Sequence, residues 1–194
     1  MTSILKVDTI QDADGNNIIN ESSNTITVGA SGDTVALGSG ALQSNLLTPI
    51  FSAYSNANQT GLTQGAYSKI TLNAEYFDSD GAFDVSNYRF TPTTAGKYFV
   101  YSTLHCNATA ANNFLLGTTT IKKNGSNIIY SQMDQRTTGN GYSNAVCAFG
   151  VVDMNGSSDY LESWGYVSSS GGTQRISGNS SAQYSLFGAY KIIE

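Results

Sequence analysis

Turns recur along this chain too often for helices to fit between them. From residue 49 onward, NANQTG, DSDG, TPTTAG, NATAANN, KNGS, RTTGNGYS, NGSSD and SSSGGTQRISGNSS separate runs of apolar, β-branched and aromatic residues. Gly and Asn supply the positive φ angles of tight turns, and Ser, Asn and Asp cap turn backbone. The runs between them are too short for helices but suit strands. They predict strands at 50–54, 66–72, 83–90, 97–106, 115–123, 127–133, 145–154, 159–167 and 183–193. Asn124-Gly125, between TTTIKK and SNIIYSQ, is the strongest hairpin signal. Leu42, Leu46 and Ile50 have helical spacing, but Pro49 breaks the run, so 41–50 reads as a linker. The fold class that follows is all-β, a sandwich or barrel.

Strand faces carry more information. In 97–106, one face holds Tyr98, Val100, Ser102, Leu104 and Cys106, and the other holds Phe99, Tyr101, Thr103 and His105. In 159–167, Leu161, Ser163, Gly165 and Val167 alternate with Tyr160, Glu162, Trp164 and Tyr166. A sandwich with a wetted exterior shows apolar-in, polar-out alternation. Aromatics on both faces instead imply that the exterior is covered, most simply by another subunit. Phe99, Tyr101, Tyr160, Trp164 and Tyr166 are therefore the candidate residues of a homotrimer interface.

Composition removes several functions. Charged residues make up 12% of the chain and the net charge is −5, so no basic patch offers itself to nucleic acid. No run of about 18 apolar residues predicts membrane insertion. His105 is the single histidine and has no Ser or Asp partner at a diagnostic spacing, and there is no G-x-S-x-G. A paired-carboxylate cleft is also missing, so the expectation is a protein that is not an enzyme and needs no cofactor. Asp78, Asp80 and Asp84 in FDSDGAFD form a weak candidate Ca²⁺ site, against the plainer reading of a polar turn. Cys106 and Cys147 both fall on the parity assigned to the core, as free buried thiols or, alternatively, as a disulfide across the sandwich.

The first 48 residues read differently. ILKVDTI, IIN, NTITVG and TVALG are short strand-like pieces separated by turns such as DADGNN and ASGD. None is long enough to bury a core alone, and strands of this kind often pair with identical neighbours in fibrous stems. Ile4, Leu5, Val7 and Ile10 are too apolar for a free tail and are the candidate attachment residues. Residues 1–48 are accordingly read as an attachment and trimerisation segment, and 49–194 as a head domain.

Within the head, the run G-A-F-D (81–84), Y-R-F-T-P (88–92) and A-G-K-Y-F-V (95–100) resembles the series entering the central strands of the C1q/TNF-like jelly roll. F-S-A-Y (51–54), K-K-N-G (122–125), G-S-S-D-Y-L-E (156–162) and S-L-F-G-A-Y-K-I (185–192) extend the likeness over residues 49–194. Val100 departs from the Phe usual in that family. The resemblance implies a ten-stranded jelly roll, a tight trimeric head and ligand recognition without catalysis. The opening S-I-L-K-V-D-T-I-Q-D-A-D-G-N-N is similar to the starts of marine tailed-phage fibre and structural proteins. It lacks the charged start and apolar stretch of an export signal, as expected of a protein folded in a host cytoplasm and located in the virion.

Together these resemblances imply a structural virion protein of a tailed phage. It would be a trimeric fibre or knob, contacting other virion proteins through residues 1–40 and recognising a host-surface glycan. A capsid or neck decoration protein with a purely structural role is the alternative. Receptor contacts are expected in the polar loops 135–143 and 168–180, with Arg136, Asn140, Tyr142 and Arg175 as candidates.

Overall fold

A computed structural model describes residues 9–11, 13, 15, 17–22, 25–29, 32–36, 48–137 and 141–193. The candidates Ile4, Leu5, Val7 and Asn140, and linker residues 41–47, lie outside the described residues. The chain divides into two compact units, Met1–Ser44 and Asn45–Glu194.

In the first unit, β1 (Thr9–Gln11), β2 (Asn17–Ser22) and β3 (Thr25–Val28) form an antiparallel meander. Ile10 lies opposite Ile19, and Ile19 opposite Val28. Ile10, Ile19, Ile26 and Val28 are all exposed. Three short strands with apolar side chains in water are marginal alone.

The second unit contains β4 (Ile50–Tyr54), β5 (Gln59–Thr60), β6 (Ser68–Lys69), β7 (Ala74–Asp78), β8 (Phe83–Asp84), β9 (Arg89–Phe90) and β10 (Ala95–Ala108). These are followed by β11 (Phe114–Lys123), β12 (Ser126–Asp134), β13 (Ser143–Asn155), β14 (Leu161–Ser169), β15 (Gln174–Ile176) and β16 (Leu186–Ile193). No helix occurs among the described residues. One sheet runs β5-β15-β10-β16-β4-β7, with β13 paired along β10; the other runs β12-β11-β14-β9-β8, with β6 on β14. Every pairing in both sheets is antiparallel. Two such sheets face to face make an all-β jelly-roll sandwich.

The inner faces hold the core. On β10, Tyr98, Val100, Ser102, Leu104 and Cys106 all point inward and are fully buried, as the sequence alternation requires. Phe51 stacks on Phe83 at 5.0 Å and Phe90 at 4.3 Å, and meets Phe187 edge-on at 5.2 Å. These rings come from strands of both sheets and hold one end of the sandwich together. The inward hydroxyls satisfy one another: Ser102 Oγ lies 3.1 Å from Thr119 Oγ1 and 2.7 Å from Ser163 Oγ.

Local chemistry sets the turns. Asn124 (φ 51) and Gly125 (φ 82) make the predicted hairpin. The G-S-S-D-Y segment clamps it from across the sheet. Asn124 Nδ2 donates to Asp159 Oδ1 at 2.7 Å, Tyr160 N donates to Asn124 Oδ1 at 2.9 Å, and Lys123 pairs with Asp159 at 2.8 Å. Two distant motifs are thus halves of one device.

Several strand expectations change. Residues 83–90 are a hairpin, β8 and β9, because Asp84 Oδ1 accepts the N–H groups of Ser86 and Asn87 and closes a turn. Only 68–69 of 66–72 form a strand, with the Ile70 N–H adding a bond to the Ser163 carbonyl, although Ile70 and Leu72 are fully buried. β7 and β15 were hidden inside polar segments and owe their structure to neighbours: β7 to β4, and β15 to β10 and β5. Cys147 is exposed, because β13 turns Val146, Ala148, Val152 and Met154 inward and Cys147 outward. The core parity assigned to it is corrected, and both cysteines are free.

Candidate functional site

The five aromatics expected to share one interface do not share a surface. Phe99 and Tyr101 lie on the outer face of the β10-containing sheet, while Trp164 and Tyr166 lie on the outer face of the β11–β14 sheet, with Tyr160 at its end. Strand alternation set each side chain outward correctly but says nothing of which sheet a strand joins.

The first face is built around Phe99. Its ring lies 6.2 Å from Phe149, 5.4 Å from Tyr190 and 6.4 Å from Tyr101. Registers Tyr101↔Phe149 and Tyr101↔Gly188 place these side chains side by side across β13, β10 and β16. Gly188 makes room for the Tyr101 ring: a Cβ there would meet Tyr101 Oη at 2.2 Å. Phe149 and Val151, beside it, are 65% and 57% exposed, although they sit mid-strand in the longest ladder of the sheet. Phe149, Val151 and Tyr190 were missed at the sequence level. Phe149 and Val151 share the parity of Cys147 that was assigned to the core, so the sequence carried no signal that they face outward.

This face changes character along β10. Thr103 Oγ1 donates to Cys147 Sγ at 3.4 Å in the middle. At the far end His105 packs on the Tyr184 ring at 5.5 Å. Burial, with the nearby Arg175 charge, holds His105 below the usual histidine range. Arg175 is not in a loop: it belongs to β15, opposite Asn107 and Thr60, which corrects its assignment as a loop residue. Loop 168–180 is in part a strand because main-chain pairing with β10 and β5 claims it.

The second face is dominated by Glu162, which is 4% exposed. Burial pushes its carboxyl up, but hydrogen bonds from Lys69 at 2.8 Å, Trp164 Nε1 at 2.9 Å and Arg89 Nη2 at 2.8 Å outweigh that and hold it below the ordinary value. The surrounding rings are in part capped by the chain's own cations. The Arg89 guanidinium lies 3.7 Å over Tyr160 and Lys122 Nζ 3.8 Å over Trp164. Each of these two rings thus has a cation of its own chain on one side.

The depressed Glu162 value has a consequence for pH. A carboxyl bound more weakly to its proton when folded stabilises the fold fully above its unfolded value of about 4.5, and that share is lost as pH falls through the lower folded value. Glu162→Gln is expected to be less stable than wild type at neutral pH, and the gap should narrow on acidification below the unfolded value. Denaturant melts across pH check this; a gap that widens in acid contradicts it.

The remaining candidates disperse. Asp78 accepts the N–H groups of Phe83 and Asp80, Asp80 accepts the Ser79 hydroxyl, and Asp84 caps its own turn. Among the described residues no three His, Cys, Asp or Glu side chains group to hold a metal, and the contacts the three aspartates make are those of their own turns. Arg136 pairs with Asp134, the two nitrogens Nε and Nη2 spanning its carboxylate, and holds that carboxyl down at about 2. Tyr142 is exposed. Cys106 is pushed up to about 12 by burial and is chemically quiet.

No family model matches the sequence, and no curated protein matches it. Solved structures do. Eiger TNF from S. frugiperda matches with a TM-score of 0.55 at 9% identity, over 75% of this chain and 92% of that one. Murine APRIL matches in crystal structures at pH 5.0 and pH 8.5, with TM-scores of 0.52 and 0.51 at 8% identity, over 73% of this chain and 97% of each. At such identities the likeness is one of fold. The β-sandwich of this chain is a TNF-like jelly roll.

Proposed function

We propose that this chain is a non-enzymatic structural protein of a virus particle, a trimeric appendage whose jelly-roll head presents surfaces for recognising a host glycan. The observation that carries the assembly is the first outer face. Phe99, Tyr101, Phe149, Val151 and Tyr190 form a contiguous apolar patch in the middle of the central sheet, where a monomer would place polar side chains. Closed threefold packing covers that patch and leaves no exposed copy. The C1q/TNF-like motif series supports the same symmetry.

The viral part of the reading rests on the opening segment and its likeness to phage fibre starts. Exposed Ile10, Ile19, Ile26 and Val28 in the first unit supply apolar side chains for docking to another virion protein. Deleting residues 1–40 is expected to abolish incorporation into particles while leaving the head folded; normal incorporation refutes the anchor. Recognition is preferred over a purely decorative role because the second outer face also carries partly exposed aromatics among polar groups. Three copies would add avidity to weak contacts.

Cys147 gives a direct test of the assembly. It is exposed on a single chain and lies on the patch, whereas Cys106 is buried. In the assembled protein a bulky maleimide is expected to label Cys147 slowly, and labelling should accelerate on dilution in step with dissociation measured by sedimentation. Fast labelling of a full-size trimer would place the interface elsewhere.

A further inference from the structure

We propose that the outer face of the β12-β11-β14 sheet is a binding site for a carboxylated sugar, with Tyr67, Tyr130 and Tyr166 as the stacking surface, Thr118 and Gln132 as hydroxyl partners, and Lys122 as the carboxylate anchor. The site rests on the glycan-recognition reading above and gives it a location and a ligand class. Strand register assembles it. Thr118 on β11 lies between Gln132 on β12 and Tyr166 on β14, and Thr120, the next outward residue, lies between Tyr130 and Trp164. Tyr67, just before β6, closes the fourth side with its ring 5.5 Å from Tyr166. Tyr130 is 53% and Tyr67 39% exposed, so ring surface is available.

Three observations point to a ligand. First, Thr118 is 1% exposed and its Oγ1 has no hydrogen-bond partner. The Tyr67 hydroxyl lies beside it as a loose hydrogen-bonding neighbour, which works against the rise that burial gives the Tyr67 pKa. Its equivalent one step along, Thr120, does bond, to the Ile129 carbonyl at 2.8 Å. A buried hydroxyl with only a loose partner is one that a ligand hydroxyl, on displacing the Tyr67 hydroxyl, would satisfy better.

Second, the rings are tyrosines, each with an apolar body and a polar tip. Sugar rings present C–H faces that stack on such rings and hydroxyls that meet the tips. The Tyr130 hydroxyl already donates to Gln132 Oε1, which leaves the Gln132 amide nitrogen free to donate outward.

Third, the charge here runs against that of the whole molecule. The chain is net −5, yet this face gathers Lys69, Arg89, Lys122 and Arg136 against Glu162 and Asp134. Lys69 and Arg89 share Glu162, and Arg136 takes Asp134. Lys122 stands opposite Glu162 in register but, among the described residues, forms no ion pair, and its ammonium rests on Trp164. A single uncommitted ammonium at the edge of an aromatic platform is complementary to one carboxylate per sugar residue, as in a uronic acid.

Tetragalacturonate is the acidic probe and maltotetraose the neutral control. The full-length protein is titrated calorimetrically, and the fluorescence of Trp164, the one tryptophan in the chain, is followed in parallel. Tetragalacturonate is expected to bind saturably, more weakly as NaCl is raised, and to shift Trp164 emission as Lys122 turns from the indole to the carboxylate. Lys122→Gln and Tyr166→Ala should each weaken binding about tenfold, and Thr118→Val should weaken it severalfold while melting no lower than wild type. Absence of saturable binding up to about 10 mM overturns the site. So does equal affinity for maltotetraose, or wild-type affinity in all three variants. Phe149→Glu touches only the other face and is expected to bind the sugar per chain as wild type. Binding confined to the trimer would overturn a site held within one protomer, whereas a dissociated variant that still binds would uphold it.

Discussion

Phe149→Glu is expected to convert the proposed trimer into a folded monomer. Phe149 is 65% exposed on the single chain, so its own protomer does not depend on it for folding. On the chain the ring belongs to the cluster of Phe99, Tyr101 and Tyr190, and in the proposed assembly truncation of a central aromatic would cost about 2–4 kcal/mol. A glutamate adds the desolvation of an unpaired carboxylate at each of three symmetry-related contacts. Sedimentation should shift from a trimer of 20.5 kDa chains toward a single chain, with the far-ultraviolet dichroism of β structure retained. A variant that stays trimeric and equally heat-stable would remove this face from the assembly. That result would also undo the proposed appendage, since the first unit alone offers only short paired strands.

The largest effect on the fold itself is expected from Phe51→Ala. Phe51 is completely buried and contacts Phe83, Phe90 and Phe187, rings that belong to both sheets. Removing it leaves a cavity that these rings, each fixed to its own strand, fill poorly. Phe-to-Ala changes at such sites cost about 3–5 kcal/mol, which for a domain of this size lowers the melting temperature by about 10 °C. Thermal melts at fixed protein concentration check it, because assembly couples to stability. A loss under about 1 kcal/mol would mean that the aromatic stack does not hold the sheets together.

The first prediction depends on residues that the strand pattern made legible and on others that it did not. Phe99 and Tyr101 stand on the outward parity of 97–106, and the structure keeps them there. Tyr160, Trp164 and Tyr166 have the same outward parity, and that too is correct. Which of them lie on the same sheet as Phe99 was not legible, because a period of two distinguishes in from out, and both sheets have an out. Cys147 shows the same limit from the other side. Its strand contains apolar residues on both parities, VCAFGVV, so composition alone does not say which face is wet. Arg175 was read as loop because its neighbours are Ser, Gly, Thr and Gln. It is strand because β10 extends far enough to offer it main-chain partners. The hairpin at Asn124-Gly125 was readable because the two residues that form it are adjacent. The clamp from Asp159 was not, since a hydrogen bond between residues 124 and 159 leaves no local trace.

By itself the sequence determined that the described residues are β without helix, where the main strands of the head begin and end to within a few residues, and which side chains of β10 and β14 face the core. Those properties follow from backbone angles and from alternation along one strand, and a strand carries both wherever it is placed. Only the tertiary structure decided which strands lie side by side. Pairing separated by tens of residues is selected by the global burial of Phe51, Tyr98, Phe90 and their neighbours, not by any one segment. That selection put Phe99 beside Phe149 on one exterior, and Tyr166 beside Thr118 and Gln132 on the other.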